Sequence, residues 1–171
     1  MLKESIEQAL NEQINAELYS AYLYQSMAAY FEDKSLAGFS RWMDLQAEEE
    51  MEHARKIYDF VNERGGRVIL EGIEKPKSDW NSNLEVFKDS LAHEEKVTAM
   101  INDLVSLAAE EKDYATHSFL QWFVDEQVEE EDNVGEIVDK LKLVGDSTQS
   151  LFMMDDKLGA RTEFSAEGEE E

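Results

Sequence analysis

Apolar residues recur along this chain at intervals of three and four, the period of one buried helix face. Ile6, Leu10, Ile14, Leu18, Ala21, Met27, Ala28 and Phe31 form such a stripe and predict a first helix from about Ser5 to Glu32. Lys34 and Ser35 supply turn groups. Phe39, Trp42, Met43, Ile57, Phe60 and Val61 then predict a second helix over about Ala37 to Glu63, with Gly65-Gly66 suited to a left-handed cap behind it. The stretch 67–83 breaks the period: Pro76 sits mid-segment, and Asp79, Asn81, Ser82 and Asn83 favour turns. It reads as a long connection that can carry the chain back along a bundle, leaving the second and third helices parallel. Leu84, Phe87, Leu91, Val97, Ile101, Leu104 and Ala108 mark a third helix reaching about Lys112. Phe119, Trp122, Phe123, Val134, Ile137 and Leu141 mark a fourth from near Tyr114 to Val144, and a short amphipathic helix is expected over Ser147 to Leu158. The expectation is an all-α four-helix bundle with a long central crossover and a short C-terminal fifth helix. Residues 1–160 make one domain, and 161–171, ending in EGEEE, an acidic flexible tail.

The stripes are interrupted where a core should be driest. Glu17 lies between Ile14 and Ala21, and Gln46, Glu50 and His53 lie between Met43 and Ile57. Glu94 lies between Leu91 and Val97, and Gln127 and Glu130 between Phe123 and Val134. An unpaired buried carboxylate costs several kcal/mol, and four converging on one place raise one another's pKa values. A cluster of divalent cations removes both penalties. Residues three apart share a helix face, so Glu50-x-x-His53 can bring an oxygen and a ring nitrogen to one ion. That motif alone says little; joined to inward Glu17, Glu94 and Glu130 it predicts a two-metal site. Oxygen ligands with a single nitrogen suit non-haem iron and tolerate manganese or zinc.

The geometry assigns Glu17 and His53 to one metal, Glu94 and Glu130 to the other, and Glu50 to the bridge. Gln127 reads either as a hydrogen-bond donor to bound oxygen or water, or as an ordinary buried amide. Tyr24, seven residues after Glu17, reads as a partner for a ligand such as Glu94, as an electron donor, or as a core tyrosine with its hydroxyl satisfied. Glu49, Glu126 and Glu129, sharing Glu130, form either a third cation site or a solvated charge run. His93 and His117 fall off this face. Tyr19, Tyr22, Tyr24, Tyr30 and Phe31 point in several directions, which argues for a bundle buried on more than one side by assembly.

Composition narrows the partners. Asp and Glu number 40 against 16 Lys and Arg, a formal net charge of −24, which is wrong for nucleic acid. There is no cysteine, so iron–sulfur clusters, thiolate zinc sites and disulfides are excluded. No run approaches the roughly 20 apolar residues of a membrane span, and no apolar signal core opens the chain, so a cytoplasmic location is expected.

At these residues the sequence resembles the bacterial and archaeal non-haem ferritins. NEQINAELYSAYLY, GFSRWMDLQAEEEMEHARKIYDF, AHEEKV and FLQWFVDEQVEEEDN are similar to that family's four ligand-bearing segments, in order and with its spacing, from residue 5 to about 160. The resemblance implies a ferritin-like fold and a hollow homo-oligomeric shell, usually of 24 subunits. It implies a ferroxidase that oxidises Fe(II) with O2 or H2O2 at a di-iron centre in each subunit and stores ferric mineral inside. The family's ligands match Glu17, Glu50, His53, Glu94 and Glu130, with Gln127 nearby. Its third iron site matches Glu49, Glu126, Glu129 and Glu130, and its tyrosine beside the centre matches Tyr24. The alternative is a small di-iron oxidoreductase, peroxidase-like or bacterioferritin-like, without bulk storage. Bacterioferritins usually repeat Glu-x-x-His on the fourth helix, whereas here Asn133 follows Glu130 at that spacing. Met51 matches the methionine with which they ligate haem, but methionine there is also ordinary helix packing, and no haem is expected.

Overall fold

The helical stripes form helices where their periods place them. A computed structural model describes residues 2–145 and 147–161. It contains α1 (Glu4–Asp33), α2 (Ala37–Glu63), α3 (Asn83–Glu110), α4 (Tyr114–Val144) and α5 (Thr148–Gly159). These bounds agree with the sequence reading to within two residues at every end. Of the expected acidic tail only Arg161 is among the described residues.

Short connections make α1–α2 and α3–α4 antiparallel hairpins, and the crossover fixes how the hairpins join. Asn11 Nδ2 donates to the Arg67 carbonyl, Ser26 Oγ donates to the Lys77 carbonyl, and Trp80 packs its ring 5.3 Å from Tyr30. Residues 67–80 therefore climb alongside α1 in its own direction and deliver α3 to the end where α2 begins. The second and third helices run parallel, and Tyr24 and Ser20 of α1 face Glu94 and His93 of α3.

Three helix ends share one device. The N–H of Gly66 donates to the Val61 carbonyl and that of Gly65 to Asn62, with Gly65 at φ +73°. The same pair of bonds closes α1 through Leu36 and Ser35, and α3 through Asp113 and Lys112. This is a Schellman closure, whose turning residue must be left-handed. Ser35 and Lys112 adopt φ 57° despite carrying a Cβ, which is strained for L-residues other than glycine. Lys112→Gly should therefore raise the stability of the protein, by about 0.5–1 kcal/mol, measured as a shift of the thermal midpoint.

The bundle has two dry cores rather than one. The first gathers Tyr24, Met27, Phe31, Phe39, Trp42, Met43, Phe87, Val134 and Val138, with Phe31 stacked on Phe39 at 5.0 Å. The second gathers Ile6, Leu10, Ile14, Ile57, Val61, Val97, Ile101, Leu120 and Phe123. On every long helix the switch from one core to the other falls at the polar interruption: Glu17, Gln46 to His53, Glu94, and Gln127 to Glu130. Two apolar slabs thus clamp a single polar layer.

α5 lies against the start of α2. A Cβ on Gly38 would sit 1.8 Å from the Asp155 carbonyl oxygen, so only glycine allows this approach. Leu36 gives α2 no side-chain cap, and Asp155 Oδ1 instead accepts the Phe39 N–H at 2.9 Å. Met154 is buried beneath the helix.

Candidate metal centre

Each long helix supplies one carboxylate to the polar layer. Glu17, Glu50 and Glu94 are essentially inaccessible, and Glu130 is 4 % exposed. Polar side chains one turn before them, or across the bundle, hold them in place. Gln13 Nε2 donates to Glu17 Oε1 at 2.8 Å, and Gln46 Nε2 donates to Glu130 Oε2 at 2.7 Å. The Tyr24 hydroxyl donates to Glu94 Oε1 and lies 2.9 Å from Ser90 Oγ. Gln127 Nε2 lies 3.3 Å from both Oε2 and the carbonyl oxygen of Glu94 and 3.2 Å from Thr98 Oγ1, so its contacts are within the protein.

Glu17 Oε2 and Glu50 Oε2 are buried without a donor from any other side chain, and the two carboxyls can satisfy each other only by sharing a proton. A buried polar atom left unpaired costs about 1–3 kcal/mol, and native proteins rarely tolerate two in contact with one cluster. His53 completes the group, its Nδ1 3.6 Å from Glu50 Oε2. Glu17, Glu50 and His53 each offer one ligand atom, and these atoms lie within 4.8 Å of one another, the size of a single cation site. Two carboxylates and an imidazole with open oxygens fit a divalent ion. Glu94 and Glu130 share the polar layer but spend their oxygens on Tyr24, Gln127 and Gln46, so the compact cluster comprises three of the five candidates.

The electrostatics point the same way. Burial pushes the Glu50 carboxyl well above the usual carboxylate range, and the charges of Glu94 and Glu17 push it further. Burial raises Glu17, partly offset by its hydrogen bond from Gln13. It lifts Glu94 to about 7, against the hydrogen bonds from Tyr24 and Gln127, and Glu130 to about 8 with help from Glu94. Burial, then the charge of Lys56, lowers His53 to about 4, so its ring is neutral at physiological pH and keeps a lone pair for a metal. Trp122 and Phe123 pack edge-on against that ring, at 5.4 and 6.0 Å between centroids. A cleft of about 330 Å³ lined by Glu49, His53, Lys56, Trp122 and Glu126 leads to it from the surface.

Of the remaining candidates, Glu49 and Glu126 line this cleft. Glu49 is buried and Arg161 grips both of its oxygens, at 2.7 and 2.8 Å. Glu126 is half-buried and raised by burial, then by Glu129 and Glu49, while Glu129 is exposed. Sequence reasoning gave no site role to Gln13, Gln46, Ser90 or Arg161. The first three were open to it, since Gln13 and Ser90 stand four residues before Glu17 and Glu94, and Gln46 four before Glu50. Arg161 carries no local signal, because only the docking of α5 brings it here. His93 lies off the site face, half-buried, with Nε2 2.7 Å from Ser20 Oγ. Met51 is exposed in an apolar groove with Leu18, Tyr22 and Ile73.

Comparison with known proteins places this arrangement. The ferritin-like domain described as Ferritin matches residues 7–144. A bacterial non-heme ferritin of Staphylococcus epidermidis is 46% identical over 162 residues, covering 95% of this chain and 98% of its own length. One from Staphylococcus aureus is 43% identical over the same length, with the same coverage. Among solved structures, an open pore ferritin from the hyperthermophilic archaeon Archaeoglobus fulgidus is 51% identical with a TM-score of 0.94, covering 95% of this chain and 99% of that one. A form of that ferritin engineered to be closed gives a TM-score of 0.95 at 51% identity, covering 96% of this chain and 100% of that one. Among the described residues, no helix is long and apolar enough to cross a membrane.

Proposed function

This chain belongs to the ferritin-like family, and from that premise we propose that it is a ferroxidase subunit of an iron-storing shell. The observation that carries the reading is the Glu17–Glu50–His53 cluster, whose orphaned carboxylate oxygens are clamped between two apolar cores. Fe(II) is the substrate: two ions held side by side each give one electron, together reducing O2 to H2O2, or H2O2 to two waters, with two protons taken up, and the ferric product moves on to the cavity.

The chain's own residues provide rigid spacing and proton control. Glu17 and His53 hold one ion, Glu94 and Glu130 the other, and Glu50 spans both. Carboxyls that the dry surroundings keep protonated at rest give up those protons as iron arrives, which joins loading to proton release. Gln13, Gln46, Tyr24 and Gln127 hold the carboxylates at the right orientation, as partners behind metal ligands do. Tyr24, its hydroxyl on Glu94, is also a phenol from which an electron could be drawn. Glu49 and Glu126 line the cleft that leads to His53 and, with Glu129 and Glu130, make a third, outer iron position.

Assembly is supported by the outer face of α1 and α2. Tyr22, Met51 and Ile73 are 53%, 52% and 43% exposed around an apolar groove, a surface that copies of the chain would cover. The resemblance implies 24 copies. Excess Fe(II) added in air should be oxidised rapidly, with hundreds of irons sedimenting together with a large uniform particle. Oxidation that stops near two irons per chain in a small species would overturn the storage half of this reading.

A further inference from the structure

We propose that Arg161 is a resident cation on Glu49 that competes there with a third metal ion, so that such an ion binds at Glu49 only when the Arg161 guanidinium lets go. This rests on the metal-centre reading above. Arg161 Nη2 meets both oxygens of Glu49, at 2.7 and 2.8 Å, and Nη1 donates to Gln46 Oε1. The other end of the Gln46 amide donates to Glu130 Oε2 at 2.7 Å. One arginine thus holds Glu49 directly and Glu130 through a single amide, reaching two of the four carboxylates assigned to the outer position.

The grip is built rather than casual. The Arg161 side chain is 22% exposed and that of Glu49 11%. The guanidinium lies 5.2 Å from the centre of the Trp42 ring, and the Arg161 N–H closes the end of α5 on the Leu158 carbonyl at 3.2 Å. α5 in turn is fixed to α2 by the close approach at Gly38 and by the bond from Phe39 N–H to Asp155. The position of Arg161 therefore follows from the packing of α5 on the start of α2.

Chemistry makes the grip exclusive. Both Glu49 oxygens are committed to the guanidinium, so a metal ion reaches them only after the arginine side chain has moved. A metal ion arriving at Glu49 must displace a partly buried guanidinium whose Nη2 meets both carboxylate oxygens, and leave that guanidinium to find water. The outer position is consequently weaker than its carboxylate count suggests, which favours passage of iron inward over its retention there. Gln46 extends the effect: when Arg161 leaves, the amide is free to turn, and the hydrogen bond that restrains Glu130 loses its anchor.

Zinc soaks of crystals of the assembled protein test this, with ion occupancy read site by site from anomalous scattering. In the wild type, Zn(II) is expected at Glu17, Glu50, His53, Glu94 and Glu130, with little at Glu49. Arg161→Gln should add an ion at Glu49 and Glu126, with apparent affinity raised about tenfold or more. Arg161→Lys, which keeps the charge but not the fork, should fall between, and adding Glu49→Gln to Arg161→Gln should remove the new ion. Equal Glu49 occupancy in wild type and both Arg161 variants, with the inner centre filled, overturns the role of Arg161 alone. Absence of zinc from all of these residues overturns the metal-centre reading with it. Sedimentation of each variant reports whether the particle is intact, and the lysine variant retains enough of the ion pair to carry the test if the glutamine variant assembles poorly.

Discussion

Glu50→Leu should abolish rapid Fe(II) oxidation and, at the same time, make the metal-free protein more stable. The two effects have one origin. Glu50 is buried at the middle of the polar layer, one of its oxygens has no partner, and Glu17, Glu94 and Glu130 all oppose its ionisation. Leucine is close in volume and removes the unsatisfied oxygen, joining the two apolar slabs where they are now parted. The expected gain is about 1–3 kcal/mol in the metal-free protein, read as a higher thermal midpoint. The oxidation rate, followed by stopped-flow absorbance, should fall at least about a hundredfold, since the loss includes the group placed to span both ions. With Zn(II) present the order should invert, because the wild type gains stability from the metal and the variant gains less. Oxidation that survives within a few-fold would mean Glu50 is not the bridge. A lower midpoint for the metal-free variant would mean that the Glu17–Glu50 contact stabilises the fold.

That trade is what made the centre readable from sequence. A carboxylate inside an apolar stripe is anomalous against a strong periodic background, and Glu17 and Glu94 each fall at an inward position, between Ile14 and Ala21 and between Leu91 and Val97. The helices were legible for the same reason, since long amphipathic segments with one proline leave few alternatives. What escaped was set by contacts distant in sequence or by backbone strain. Arg161 meets Glu49 across 112 residues, and Glu49 by itself looked like a neighbour of Glu126 and Glu129. Trp80 is buried against Tyr30 although its segment reads as loop, because the crossover lies on α1 and not in solvent. The end of α3 was placed two residues late because Lys112, an ordinary helix former, is the residue that turns left-handed there. The glycine at Gly65 announced the same closure at the end of α2.

The metal-free protein should lose stability as pH rises from about 6.5 to 8.5, and Zn(II) should reverse the slope. Glu94 and Glu130 titrate near 7 and 8 in the fold, against 4.5 as ordinary glutamates. Between 4.5 and those values the folded chain holds protons that the unfolded chain has released. Stability contributed by these groups is therefore complete below 4.5 and is lost as pH rises through 7 and 8. His53 and His93, lowered to about 4 from 6.5, act in the opposite sense: their contribution is complete above 6.5 and lost as pH falls toward 4. Above 6.5 the histidines add only the opposing remainder of their unfolded-state titration, which fades within about one pH unit and leaves the carboxylates to set the slope. Over the 6.5–8.5 window the loss should be about 2–3 kcal/mol, or about 5–10 °C in the thermal midpoint. The double variant Glu94→Gln/Glu130→Gln should make it shallower, leaving the share of Glu50 and Glu17, which burial also raises. Zinc replaces the protons, so calorimetric titration in buffers of different ionisation enthalpy should show more protons released per chain at pH 6.5 than at 8.5. A midpoint of the metal-free protein that is level or rising across the window would mean these two carboxyls are already ionised in the empty centre, and that iron arrives at a charged site without displacing protons.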